Sequence, residues 1–134
     1  MQLFPYLTFD GNAAAAATFY ASIMGDPPPE MMRFGDMQGE DWVTDEIKDR
    51  VAHTRVSFAN SHIMISDSSG FESFNGHSGF SMNVTMEDVE DGEELFRKLA
   101  DGGQVTMAWA PTFWAKGFGV CKDRFGVSWM VNVE

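Results

Sequence analysis

Cysteine is nearly absent from this chain: Cys121 is the only one in 134 residues, so no intrachain disulfide can form and a reducing compartment is expected. Cations are scarce as well, with nine Lys and Arg against 20 Asp and Glu and a net charge of −11. A surface of that sign repels phosphate backbones and anionic headgroups, which argues against nucleic acid and membrane as partners. The acidity reads as a solubility feature, with steering of a cationic ligand as the alternative. There is no run of about 18 apolar residues to span a bilayer and no basic start leading into an apolar segment, so a cytoplasmic protein is expected. Neither G-x-G-x-x-G nor G-x-x-x-x-G-K-[ST] occurs, which leaves dinucleotide and nucleoside triphosphate sites without a signal.

What is present is a pattern written twice. An apolar strand, a turn residue and a helix closed by Gly run from Leu3 to Gly25, and the same order returns from Phe80 to Gly102. Phe19 aligns with Leu95 and Asn12 with Asp88, both at an offset of 76. A duplicated strand–helix module implies a scaffold with a cavity between copies. The length and a hydrophobic content of 44% suit a single domain over 1–134, built of modules 1–67 and 80–134 joined by a loop over 68–79.

In the first module, the strand Leu3 to Phe9 leads into a helix whose apolar residues Ala16, Phe19, Tyr20, Ile23 and Met24 fall on one stripe. Asn12 or Asp10 is positioned to cap it, and Gly25 with Pro27 to Pro29 ends it. Glu30 to Gly35 reads as a short strand, and the acidic stretch Asp36 to Arg50 as a loop over the cavity. Val51 to Ala59 and His62 to Ser66 form a hairpin turning at Asn60 and Ser61. The Ser- and Gly-rich segment Asp67 to Gly79 is a flexible connection.

The second module repeats this with a strand from Phe80 to Met86, Asp88 as cap, and a stripe of Val89, Leu95, Phe96 and Leu99 ended by Gly102 and Gly103. Extended segments Val105 to Ala110, Phe113 to Cys121 and Val127 to Val133 follow. The fold class is therefore α+β, two βαβββ modules. Gly117 and Gly119 flank Phe118 inside a strand, which signals a bulge or a close backbone approach.

That order of elements, with the strings PYLTFDGN, MMRFGDM, TFWAKGFG and DRFGVSWMVN, resembles the PhnB-like branch of the vicinal oxygen chelate superfamily, which includes glyoxalases, extradiol dioxygenases and bleomycin-resistance proteins. The resemblance spans essentially the whole chain. It implies modules that curl into half-barrels around a cavity, with metal ligands on the first and last strands of each module in metal-dependent members. Those positions fall on Pro5, Met64, Ser81 and Met130. Proline offers no side-chain donor and thioethers are soft, weak ligands for the divalent ions concerned, so no metal and no cofactor is expected there. Some relatives in the branch carry a label as a ubiquinone-pathway methyltransferase, yet the chain lacks the Gly-rich turn and doubly wound sheet that common methyl-donor enzymes use.

The ligand-binding residues expected on this basis are Leu7, Phe9, Met64, Ser81, Asn83, Trp114, Phe118, Met130 and Asn132, an apolar and aromatic wall with a few amides and hydroxyls. The same residues are equally suited to filling a core. His53 and His62 on neighbouring strands and His77 in the connection show no metal-binding spacing, and Cys121 has no activating neighbour in sequence. Two functions follow. The first is a metal-free, glyoxalase- and bleomycin-resistance-like protein binding a small organic molecule. The second is a metal-dependent lyase, isomerase or dioxygenase with a displaced site built on His53, His62 or nearby carboxylates. A twofold homodimer is expected from the sheet edges such modules leave and from Trp109, Trp114 and Trp129 in the late strands.

Overall fold

The computed structural model describes all 134 residues, and the chain divides into two compact units, Met1–Asn75 and Gly76–Glu134. The division falls inside the Ser- and Gly-rich connection. The first unit contains β1 (Tyr6–Phe9), α1 (Ala13–Ile23), β2 (Met31–Arg33), β3 (Val51–Phe58) and β4 (Ser61–Asp67). The second contains β5 (Met82–Met86), α2 (Val89–Ala100), β6 (Gln104–Ala110), β7 (Gly117–Lys122) and β8 (Ser128–Val133). Each unit is strand, helix and three strands, so the α+β class and the duplicated order are present as the sequence implied.

Sheet order is β1-β4-β3-β2 in one unit and β5-β8-β7-β6 in the other. The first strand runs parallel to the last, and the remaining pairs are antiparallel. Alternation then assigns two faces to every strand. In the first unit Leu7, Phe9, Val56, Phe58, Ile63 and Ile65 are buried on the helix side. They meet Ala13, Ala16, Ala17, Tyr20 and Ala21 of α1, a narrower and smaller-residue stripe than the periodicity suggested. Phe19, Ile23 and Met24 remain half-buried, because four alanines already bring the helix close to the sheet.

Asp67 caps α1 from the far end of β4. Its Oδ1 accepts the backbone N–H of Gly11 at 2.8 Å and of Ala13 at 3.0 Å, and its Oδ2 accepts that of Val51 at 2.9 Å. Neither Asn12 nor Asp10 takes the role the sequence offered them: Asn12 makes no side-chain cap, and Asp10 pairs with Arg50 at 3.0 Å. The hairpin turns at Ala59 and Asn60, one residue earlier than expected, with Phe58 opposite Ser61 and Ala59 at φ 53°. The 36–50 loop is held down by Gly35 N–H to the Lys48 carbonyl at 2.8 Å, by buried Ile47, and by Trp42 against Phe34 and Phe71.

In the second unit Leu95, Phe96 and Leu99 of α2 pack with Trp129, Val131 and Val133 of β8. Asp88 caps α2 as expected, accepting the N–H of Asp91 at 2.9 Å. The glycines of β7 serve close approach. A Cβ on Gly119 would lie 2.8 Å from the Phe96 ring, and one on Gly117 would meet Trp109. Thr112 to Ala115 turn rather than extend, because the Thr112 hydroxyl accepts the N–H groups of Trp114 and Ala115, so β7 begins only at Gly117.

Candidate functional site

The face of each sheet turned away from its helix carries the half-exposed side chains. In the second unit β8 presents Ser128, Met130 and Asn132 there, between Asn83 of β5 and Phe118 of β7. The same alternation adds Val120 and Lys122, which follow Phe118 at steps of two. Sequence reasoning stopped at Phe118, although the parity that selected it also selects Lys122; Ser128 likewise follows from Met130.

A cleft of about 690 Å³ opens on this face. Phe80 and Met130 form its apolar wall, Ser81 and Ser128 its hydroxyl edge, and His77 and Lys122 its ionisable groups, with the Ser78–Gly79 backbone closing one side. The volume is within the range of small-molecule sites. Ser81 and Ser128 share a hydrogen bond of 2.9 Å, which uses one of their two O–H donors and leaves the other available. Burial pushes His77 below the ordinary imidazole value of 6.5, and nearby Asp123 offsets part of that fall, so the ring is mostly neutral at pH 7.

Of the residues expected to bind ligand, Ser81 and Met130 line this cleft. Asn83, Asn132 and Phe118 share its face farther along the strands, and Trp114 packs on Phe118 at 5.4 Å while Phe113 stands 97% exposed. Asn132 has a buried Oδ1 with no hydrogen-bond partner, an arrangement that usually costs about 1 to 3 kcal/mol. Met64 belongs to the first unit, beside Tyr6 and Arg55 in register.

Leu7 and Phe9 are on the opposite face. They are 3% and 1% exposed on the helix side, and Tyr6 and Thr8 hold the open-face positions instead. The cause is one residue. Phe9 and Met86 both accept the N–H of the residue that follows the last strand, Ser68 and Glu134, so the first strands align at an offset of 77 rather than 76. The first unit spends an additional residue between strand and helix, and Gly11 at φ 96° allows the chain to turn there. Pro5 therefore falls with Leu7 and Phe9, and the open-face partner of Met64 is Tyr6, as that of Met130 is Asn83. Phenol with thioether, and amide with thioether, remain a poor donor set for a divalent metal.

The displaced-site alternative meets a geometric obstacle. His62 lies opposite Ser57, four residues along β3 from His53, a separation of about 13 Å at the rise of an extended strand. His53 Nδ1 instead pairs with the Tyr6 hydroxyl at 3.2 Å, and His62 packs edge-on against Phe4. No three His, Cys, Asp or Glu side chains gather into a potential metal site. Cys121 is buried, and burial together with the negative charge of Asp123 pushes its thiol up to about 11, which opposes a nucleophilic role. Trp129 is also interior, donating Nε1–H to Asp123 at 2.8 Å, and Trp109 packs on Phe96, so Trp114 is the outward tryptophan of the three.

Paired βαβββ units with open sheet faces define a glyoxalase-like α+β fold, and known structures of that type superpose on the chain. A glyoxalase/bleomycin resistance protein/dioxygenase family enzyme from Burkholderia phytofirmans matches with TM-score 0.63 at 15% identity, over 96% of this chain and 95% of its own. Residues 1–132 match the family model described as 3-demethylubiquinone-9 3-methyltransferase, and the chain belongs to that family. It is 39% identical to Protein YjdN of Escherichia coli, over 99% of this chain and 95% of that protein. The crystal structure of PA1353 from Pseudomonas aeruginosa is also 39% identical, with TM-score 0.86 over 100% and 98% of the two chains. A PhnB protein from Bacillus cereus shares 25% identity and TM-score 0.79 over the full length of both.

Proposed function

We propose that this glyoxalase-like chain binds a small organic molecule on the open face of its second sheet, without a metal at the positions that metal-dependent relatives use. The observation that carries the reading is the cleft between Phe80, Ser81, Ser128 and Met130, which joins an apolar wall to a few fixed polar groups. Methyl transfer is not part of the proposal, since the methyltransferase description belongs to the family model and the chain has no Gly-rich turn for a nucleotide-type methyl donor. The chain is further proposed to act as a homodimer. Support comes from exposed apolar groups on and near the edge strand β6, where Val105 and Met107 are about half exposed and Phe113 and Trp114 stand outward.

A native mass spectrum of the purified protein tests both parts. Retention of an organic mass without stoichiometric metal, on a species of twice 14.9 kDa, is the expected result. A transition metal whose removal abolishes a measurable turnover would instead favour the lyase, isomerase or dioxygenase reading.

A further inference from the structure

We infer that the occupant of the second unit's cleft is a small organic anion of single charge, with Lys122 as its counter-charge and Phe80 and Met130 against its apolar body. The inference rests on the small-molecule reading of that cleft. Charge placement motivates it. Five of the nine cations are committed to ion pairs, namely Lys48, Arg50, Arg97, Lys98 and Arg124; of the four that are not, Arg33, Arg55, Lys116 and Lys122, Lys122 alone lines this cleft. The chain has 20 carboxylates, yet none lines this cleft. The smaller hollow of the first unit, about 540 Å³, differs in this respect, because Glu30 stands in its wall with Arg55 and His53.

The other groups agree with an anion. Lys122 is opposite Ser128 in the β7–β8 register, so the strand positions of the lysine and of the hydroxyl pair adjoin in the cleft wall. A Ser81 or Ser128 O–H left over from their mutual bond is a donor to a carboxylate oxygen. His77, mostly neutral, adds no second full charge, which favours one negative charge over two. Asp123 is buried, and although its charge acts on His77, its oxygens are already occupied by the N–H groups of Phe125 and Val127 and by Trp129 Nε1–H. The net charge of −11 opposes an approaching anion at long range, but exposed charges beyond about 8 to 10 Å are screened at physiological ionic strength. Among the side chains that line the cleft, Lys122 carries the one full charge.

Phenylbutyrate, phenylbutanol and phenylbutylamine share one apolar body and differ in charge. Each is titrated into the isotope-labelled full chain, and the backbone amide shifts of Ser81, Ser128 and Met130 are read. Phenylbutyrate is expected to bind about tenfold more tightly than the alcohol, with the amine weakest. Lys122→Met should reduce that preference to about twofold or less, Lys122→Arg should keep it, and added NaCl should shrink it. Equal binding of all three probes, or a carboxylate preference that survives Lys122→Met, would overturn the anion inference and leave the small-molecule site standing. Absence of any shift at these amides with all three probes would overturn the small-molecule reading, and the anion inference with it.

Discussion

Gly11 donates its backbone N–H to Oδ1 of Asp67 at 2.8 Å, across 56 residues of chain. That bond joins the turn before α1 to the end of β4, and the same carboxylate holds Ala13 and Val51. Asp67 is 3% exposed, so water cannot readily replace it. Asp67→Ala should therefore leave three backbone donors short of a partner and cost about 3 kcal/mol or more in denaturant unfolding. Asp67→Asn, which keeps one acceptor oxygen, should lose less. Equal stability of Asp67→Ala and the parent chain would remove the carboxylate from this role.

Gly119 supplies a packing test in the other unit. A methyl group there would lie 2.8 Å from Cε1 and Cζ of Phe96, inside the distance real contacts allow. Gly119→Ala should destabilise by about 1 to 3 kcal/mol, the usual cost of overpacking, seen as a lower unfolding midpoint. The double variant Gly119→Ala with Phe96→Leu should recover part of that loss relative to the sum of the single changes.

Leu99 is fully buried on the sheet-facing side of α2. Truncation to Ala should cost about 2 to 5 kcal/mol by chemical denaturation. Val89→Ala on the same helix, where the residue is 36% exposed, should cost clearly less, about 1 kcal/mol or below. A reversed order of the two costs would contradict the assigned helix face.

Cys121 gives a pH dependence of known sign. Burial, and secondarily Asp123, raises its thiol from 9.0 to about 11, so the native state keeps a proton that the unfolded chain releases. Its contribution to stability should be intact below pH 9 and be lost as pH rises from about 9 to 11. Cys121→Ser or Cys121→Ala should flatten that part of the stability profile. A thiol-specific reagent at pH 8 should leave the folded chain unmodified and react once denaturant is added.

Composition and periodicity were enough to establish the duplicated strand–helix–three-strand order, the Asp88 cap and the Leu95–Phe96–Leu99 stripe, because each depends on residues a few positions apart. The resemblance carried by TFWAKGFG and DRFGVSWMVN supplied the family. Ser81 and Met130 were found in the cleft wall because strand alternation in the second unit was counted from the correct register. Leu7 and Phe9 were assigned to the wrong face because strand parity is absolute: the additional Gly11 shifts the alignment by one, and one step turns every side chain over. That step became visible only in the long-range bonds of Ser68 to Phe9 and Glu134 to Met86. The capping of α1 by Asp67, the Tyr6–His53 pair and the Ser81–Ser128 hydrogen bond were out of reach of local pattern. They join residues separated by 47 positions or more and brought together by strand pairing, and spacing along the chain has no term for such distances.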